Sequence, residues 1–158
     1  MRTIKLTLGQ VTTVDDDDFE YLNQFSWFAR KDKNTYYAAR NVKLSDGKKT
    51  SIQMHREIMK LSTKMVIDHK DRNGLNNQKC NLRVVTNAQN CQNIRAHRDS
   101  KTGIKGVSFE KSRNKWSAYI TLNYKSMRIG RFNDLQEAIN ARLKAEKVYH
   151  PFRAENLI

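Results

Sequence analysis

The residues able to do chemistry crowd into one stretch. It reads Ile67-Asp68-His69-Lys70-Asp71-Arg72-Asn73-Gly74-Leu75-Asn76-Asn77, then Asn81-Leu82-Arg83-Val84-Val85-Thr86, then Asn87-Ala88-Gln89-Asn90. A carboxylate, an imidazole and a carboxamide together suit the hydrolysis of a phosphodiester. The oxygens of Asp68 and Asn90 are hard donors of the kind Mg²⁺ prefers, and Mg²⁺ would keep several waters and complete its shell from the phosphate. A metal held there neutralises charge on the scissile phosphate and the leaving oxygen. His69 titrates near neutral pH, so it can take a proton from the attacking water.

The elements that must position these groups follow from the same residues. Val66-Ile67 is a short apolar run, which puts Asp68 and His69 at a strand end. Asn73-Gly74 marks a turn, and Leu82 to Val85 is a second short strand. Thr86 with Gln89 fits a capping box, so a helix is expected to start at Thr86. Asn90 would stand on its first turn, pointing back toward Asp68 and His69. Asn93 lies three residues further on the same helix face, as a phosphate contact, a support or a substitute ligand. His55 and Arg56 could approach the phosphate, although His55 could equally close a strand. His97 and His150 read as surface residues.

The chain has 158 residues, room for one large domain or two small ones. Lys and Arg number 30 against 16 Asp and Glu, a net charge of +14 that favours polyanions, nucleic acid before membrane. The charge is +3 over residues 1–62, +4 over 63–97 and +7 over 98–158, so the last third is expected to grip a phosphate backbone hardest. No apolar run approaches the roughly 20 residues that span a bilayer, and Met1 to Thr7 lacks the apolar core of a signal peptide. A cytoplasmic location is expected. Cys80 and Cys91 form no CxxC pair and read as free thiols.

The first segment is β-rich. Ile4 to Leu8 and Gln10 to Val14 alternate around Gly9, and Tyr36 to Val42 leads through the Asp46-Gly47 turn into Ser51 to His55 as a hairpin. Asp15 to Asp18 could be a metal cluster, but such a run more often caps a short helix, here over Phe19 to Leu22. At the other end, residues 104–132 read as three strands. Trp116, Ala118, Ile120 and Leu122 share one face; Ser117, Tyr119, Thr121 and Asn123 share the other. A helix follows, capped by Asn133 or Asp134, with Leu135, Ala138, Ala141, Ala145 and Val148 on one face and Pro151 beyond its end. The helix covers one face of the sheet. The open face carries Ser108, Tyr119, Thr121 and Arg128, with Lys105, Lys111, Arg113 and Lys125 near its edges. A sheet of this size fits the major groove.

The central motifs resemble the HNH endonucleases, in the subgroup found among homing and phage enzymes. Asp68-His69 matches the first motif, Asn81-Leu82-Arg83 the middle and Asn90 the last; Val14-Asp15-Asp16 and Met54-His55-Arg56 resemble the preceding segment. The resemblance implies a ββα-metal fold, with His69 as general base, Asp68 and Asn90 as metal ligands, and Asn81 as the residue that fixes the loop and orients His69. Residues 102–158 resemble the plant ethylene-response-factor type of DNA-binding domain. The match lies in Gly103-Ile104-Lys105-Gly106-Val107, Lys115 to Ile120, Ile129-Gly130-Arg131-Phe132, Glu137-Ala138 and Asn156-Leu157. Ser108, Tyr119 and Arg128 depart from the plant pattern on the reading face, so DNA binding carries over and base preference does not.

The expected fold class is α+β: a β-rich N-terminal segment with a ββα-metal nuclease module, then a three-stranded antiparallel sheet packed on one helix. The nuclease domain is expected over 1–95, with its ββα core at about 54–95. A linker over 96–102 and the DNA-binding domain over 103–158 follow. The expected activity is that of a sequence-directed, Mg²⁺-dependent endonuclease, Mn²⁺ being a possible substitute, acting on double-stranded DNA. A monomer would nick, and a homodimer could cut both strands. The rival readings are a DNA-binding regulator with an inert nuclease fold and an RNA-binding protein. The second is disfavoured because the sheet lacks paired exposed aromatics.

Overall fold

The computed structural model describes residues 1–61, 65–94, 96–97 and 99–152. Asn156 and Leu157, and Arg98 of the expected linker, lie outside the described residues. Among the described residues the chain is a mixed α and β protein with four small antiparallel sheets and few helices. It divides into two compact units, Met1–Thr86 and Asn87–Ile158. Among the described residues no helix is long and apolar enough to cross a membrane.

In the first unit, β1 (Arg2–Lys5) and β2 (Val11–Val14) form a hairpin. Its turn lies at Thr7 to Gln10, where Leu8 and Gly9 adopt positive φ; the strand therefore ends before Leu6, earlier than the alternation alone indicates. Helix α1 (Asp16–Leu22) follows, with three aspartates in its first turn, favourable against the helix dipole. Asp15 stands at the N-cap but makes no capping bond. Its carboxylate instead accepts from the backbone N–H of Lys79 at 2.8 Å and from Gln78 Nε2 at 3.3 Å, while Asp18 pairs with Lys79 Nζ at 2.7 Å. The aspartate run thus anchors a distant loop, which a local reading of caps does not reveal.

Strands β3 (Phe28–Asp32), β4 (Thr35–Lys43) and β5 (Lys49–Gln53) make a three-stranded sheet. The alternating pattern does not announce β3. The Asp46-Gly47 turn forms as expected, with Gly47 at φ 83°. Where the pattern continues the strand through His55, the chain turns into helix α2 (Met54–Met59). Met54 and Ile58, one helical turn apart, thereby both reach the core of Ile4, Val14, Phe19, Leu22, Trp27 and Ala38. Burial there outweighs local alternation. Strands β6 (Val66–His69) and β7 (Leu82–Val85) lie where the short apolar runs place them and pair antiparallel.

The second unit holds α3 (Asn87–Gln92), the sheet of β8 (Val107–Glu110), β9 (Lys115–Leu122) and β10 (Lys125–Phe132), and α4 (Leu135–Tyr149). Central β9 pairs with both neighbours, and α4 packs on the sheet. Asp134 caps α4, its carboxylate accepting from the Glu137 N–H at 3.0 Å. The buried face of α4 carries Ala138, Arg142 and Glu146, whereas Val148 is 70% exposed. The apolar pattern misassigns Val148 because two charged residues face inward instead. Arg142 and Glu146 pair at 2.8 Å, and Arg142 Nε donates to the Lys105 carbonyl at 2.8 Å. Gly106, at φ 82°, permits this approach: a Cβ there would lie 2.4 Å from the Tyr119 carbonyl oxygen and 2.7 Å from Arg142 Nε. His150, read as a surface residue, is buried and pairs through Nε2 with the Thr121 carbonyl at 2.9 Å.

Candidate functional site

The β6–β7 ladder sets Asp68 opposite Arg83 and His69 opposite Leu82. Successive strand residues face opposite ways, so Asp68 and His69 leave the end of β6 on different sides. Asp68 turns to Arg83, whose Nε and a terminal nitrogen both donate to its Oδ2, at 2.8 and 2.6 Å. His69 turns inward to Asn77, Tyr37 and His55.

The loop between the strands is built from polar side chains. Asp71 accepts from the Asn73 N–H and from the carboxamides of Asn76 and Asn81. Asn81 in turn accepts from the Asp71 N–H at 3.1 Å and donates to the Asn76 carbonyl at 2.8 Å. Strand β2 buttresses the loop from outside: Thr13 N–H donates to the Leu75 carbonyl, and Asn77 N–H to the Thr13 carbonyl. At Gly74 the loop presses on β4, where a Cβ would lie 2.5 Å from the Tyr36 carbonyl oxygen and 2.6 Å from the Tyr37 ring.

One hydrogen-bond chain fixes the state of the imidazole. Thr12 Oγ1 donates to the Leu75 carbonyl at 2.7 Å, which leaves its lone pairs to accept from Asn77 Nδ2 at 2.8 Å. Asn77 Oδ1 therefore faces His69 Nε2, at 3.3 Å. A carboxamide oxygen only accepts, so His69 carries its proton on Nε2 and its lone pair on Nδ1. Burial holds the His69 pKa below its usual range, opposed by the Asn77 bond and by the charges of Asp71 and Asp68. Burial thus favours the neutral form of the ring. His55, on α2, stacks edge-on against it with centroids 5.1 Å apart. Burial, then His69, then Arg56, push the His55 pKa down to about 3.

Of the expected site residues, Asp68, His69, Asn81 and His55 all lie in the first unit around the end of β6, while Arg56 is exposed on α2. Asn81 braces the loop, and the bond to His69 comes from Asn77. Sequence alone does not single out Asn77 and Thr12: a carboxamide in an Asn-rich loop and a threonine in a distant strand give no local signal of contact. Asn90 stands half-buried on α3 in the second unit, and Asn93, buried, just beyond that helix. Among the described residues no group of three or more His, Cys, Asp or Glu side chains could hold a metal ion, so the Asp15–Asp18 run forms no such cluster.

In the second unit, Ser108, Thr121, Lys125 and Arg128 on the sheet and Lys111 and Arg113 in the 3-10 turn between β8 and β9 are exposed, and Tyr119 is half-buried. Arg128 lies over the Tyr119 ring, 5.4 Å from its centroid, and donates to its hydroxyl at 3.3 Å. Lys105 instead donates to the Cys91 carbonyl at 2.8 Å. The same face holds a network the strand pattern did not bring out. Glu110 accepts from Arg131, Ser117 and Arg113; Arg131 and then Ser117 draw its pKa down to about 2. Register explains it, since β10 sets Arg131 opposite Ser117, and β8 sets Ser108 opposite Ser117 with Glu110 two residues further along on the same face. Cys80 and Cys91 are free thiols, as expected.

Residues 60–92 match the model of a family described as HNH endonuclease. The chain is also 34% identical over 73 residues to Protein 3.8 of Escherichia phage T7, an alignment covering 46% of this chain and 60% of that protein. No solved structure matches the chain. The matched stretch contains Asp68, His69, Asn81 and Asn90.

Proposed function

We propose that the chain is a divalent-metal-dependent DNA endonuclease of the homing and phage HNH type. In this reading residues 1–95 cut, through a ββα-metal core at about 54–95, residues 96–102 link, and residues 103–158 hold DNA with an ethylene-response-factor-like sheet. The observation that carries the reading is the buried His69, held neutral and in one tautomer by Asn77 and Thr12, next in sequence to the Asp68 carboxylate. Such an imidazole accepts a proton from water at Nδ1 without first having to lose one, which is what a general base at pH 7 requires.

The donor set suits a hard cation. Asp68 and Asn90 offer oxygen, and with so few protein ligands the rest of the shell belongs to water and phosphate, as Mg²⁺ prefers. Mn²⁺ fits the same donors. Bound there, the metal would stabilise negative charge on the phosphate and the departing oxygen. The chain's own residues do the rest. His69 Nδ1 takes the proton of the attacking water, Asn77 keeps the ring oriented as it becomes cationic, and Asn81 keeps the loop in place. Ser108, Lys111, Arg113, Tyr119, Thr121, Lys125 and Arg128 position the duplex, with affinity that falls steeply with salt.

The test is incubation of supercoiled plasmid with excess protein in Mg²⁺ or Mn²⁺ against EDTA. Relaxed or linear product in the metal arms alone supports the reading, relaxed circles marking a nickase. Product that forms equally in EDTA overturns the metal's role.

A further inference from the structure

Arg83 grips Asp68 in a particular way. Two of its guanidinium nitrogens, Nε and Nη2, donate to a single oxygen, Oδ2, rather than one to each oxygen. The pair is set by the β6–β7 register, which places the two residues directly opposite one another. It is also largely sheltered from water, the Asp68 and Arg83 side chains being 8% and 17% exposed. A guanidinium in that position and a divalent cation are rivals: each is positive, and each draws its attraction from the same carboxylate.

A guanidinium has a second partner of equal chemical fit, the phosphate of a nucleic acid, which it binds through parallel N–H···O bonds. We infer that Arg83 is a positioning residue that holds Asp68 in a metal-poor state in the free protein and yields the carboxylate to the cation when a DNA phosphate takes the guanidinium. The inference rests on the proposed role of Asp68 as a metal ligand. It makes DNA binding and metal binding mutually reinforcing, since whatever draws Arg83 away raises affinity for the cation, and linkage requires the reverse to hold as well. A nuclease built this way is poorly loaded with metal until DNA is in place.

The experiment reads Mn²⁺ binding directly, by the loss of the free-ion electron paramagnetic resonance signal, with no cleavage involved. Wild type, Arg83→Gln and Asp68→Asn are titrated in the absence and presence of a short DNA duplex, against the duplex alone. Arg83→Gln is expected to bind Mn²⁺ about tenfold more tightly than wild type without DNA, and to gain less affinity than wild type when DNA is added. Unchanged or weaker binding by Arg83→Gln, where wild-type binding is present and is lost in Asp68→Asn, overturns the inference while leaving the metal site standing. Binding that survives Asp68→Asn, or none in the wild type with DNA, overturns the site and the inference together. The unsubstituted protein gives a second readout, should Arg83→Gln fail to fold. Its Arg83 Nε–H resonance is expected to shift when duplex and Mg²⁺ are added together, and an unmoved resonance in the metal-loaded complex contradicts the exchange.

Discussion

The paired imidazoles beside β6 make the first unit sensitive to acid, and His55 is where the effect can be measured. Its folded pKa is about 3 against a usual 6.5, with burial as the main cause. Between those values the unfolded chain binds a proton that the folded chain refuses, so stability falls as pH falls through this window. Between pH 7 and pH 5, integrating over one such group gives a loss of about 2 kcal/mol. That is a large share of the 5–15 kcal/mol typical of a whole protein. His69 acts with the same sign. Glu57, whose pKa Arg40 holds below the usual 4.5, loses its contribution only at lower pH. The substitution His55→Phe keeps a ring against Tyr37 and His69 and removes the titration. In a Trp116→Phe background, unfolding of the first unit is followed by the buried Trp27. Wild type is expected to lose about 2 kcal/mol more than His55→Phe between pH 7 and pH 5. Equal losses in the two proteins would refute the claim that His55 is buried neutral.

The same geometry yields further expectations. Asn77→Ala removes the acceptor that fixes the His69 tautomer and strands Thr12; cleavage is expected to fall at least about tenfold, with a stability loss of about 1–3 kcal/mol read by urea denaturation. Arg128→Ala removes the exposed guanidinium over Tyr119, and DNA affinity or site preference is expected to fall by about 1–3 kcal/mol, checked by binding selection and footprinting.

The sequence was most legible where function and local pattern coincide. Strands β6 and β7 follow from short apolar runs, and the sheet of the second unit from the strict alternation of Trp116 to Leu122. A helix cap at Asn133 or Asp134 follows from elementary backbone chemistry, and Asp134 is the one that takes the role. What stayed hidden depends on contacts between distant residues. Helix α2 overrides an alternating pattern because Met54 and Ile58 complete a core whose other members lie up to fifty positions earlier. The aspartates at 15 and 18 resemble ordinary helix caps but serve Gln78 and Lys79, and Asn77 is indistinguishable from its neighbours until Thr12 is brought to it. The inward-facing Arg142 and Glu146 escape an apolar count because each neutralises the other.

The proposed chemistry depends above all on His69 as the base. The most direct measurement compares wild type and His69→Ala on one labelled duplex, reading DNA affinity and metal-dependent strand cleavage in the same samples. The expected result is affinity within a few fold of wild type and cleavage lost by at least about two orders of magnitude, as removal of a general base produces. Cleavage by His69→Ala at the wild-type rate would remove the imidazole from the chemistry and contradict the central claim.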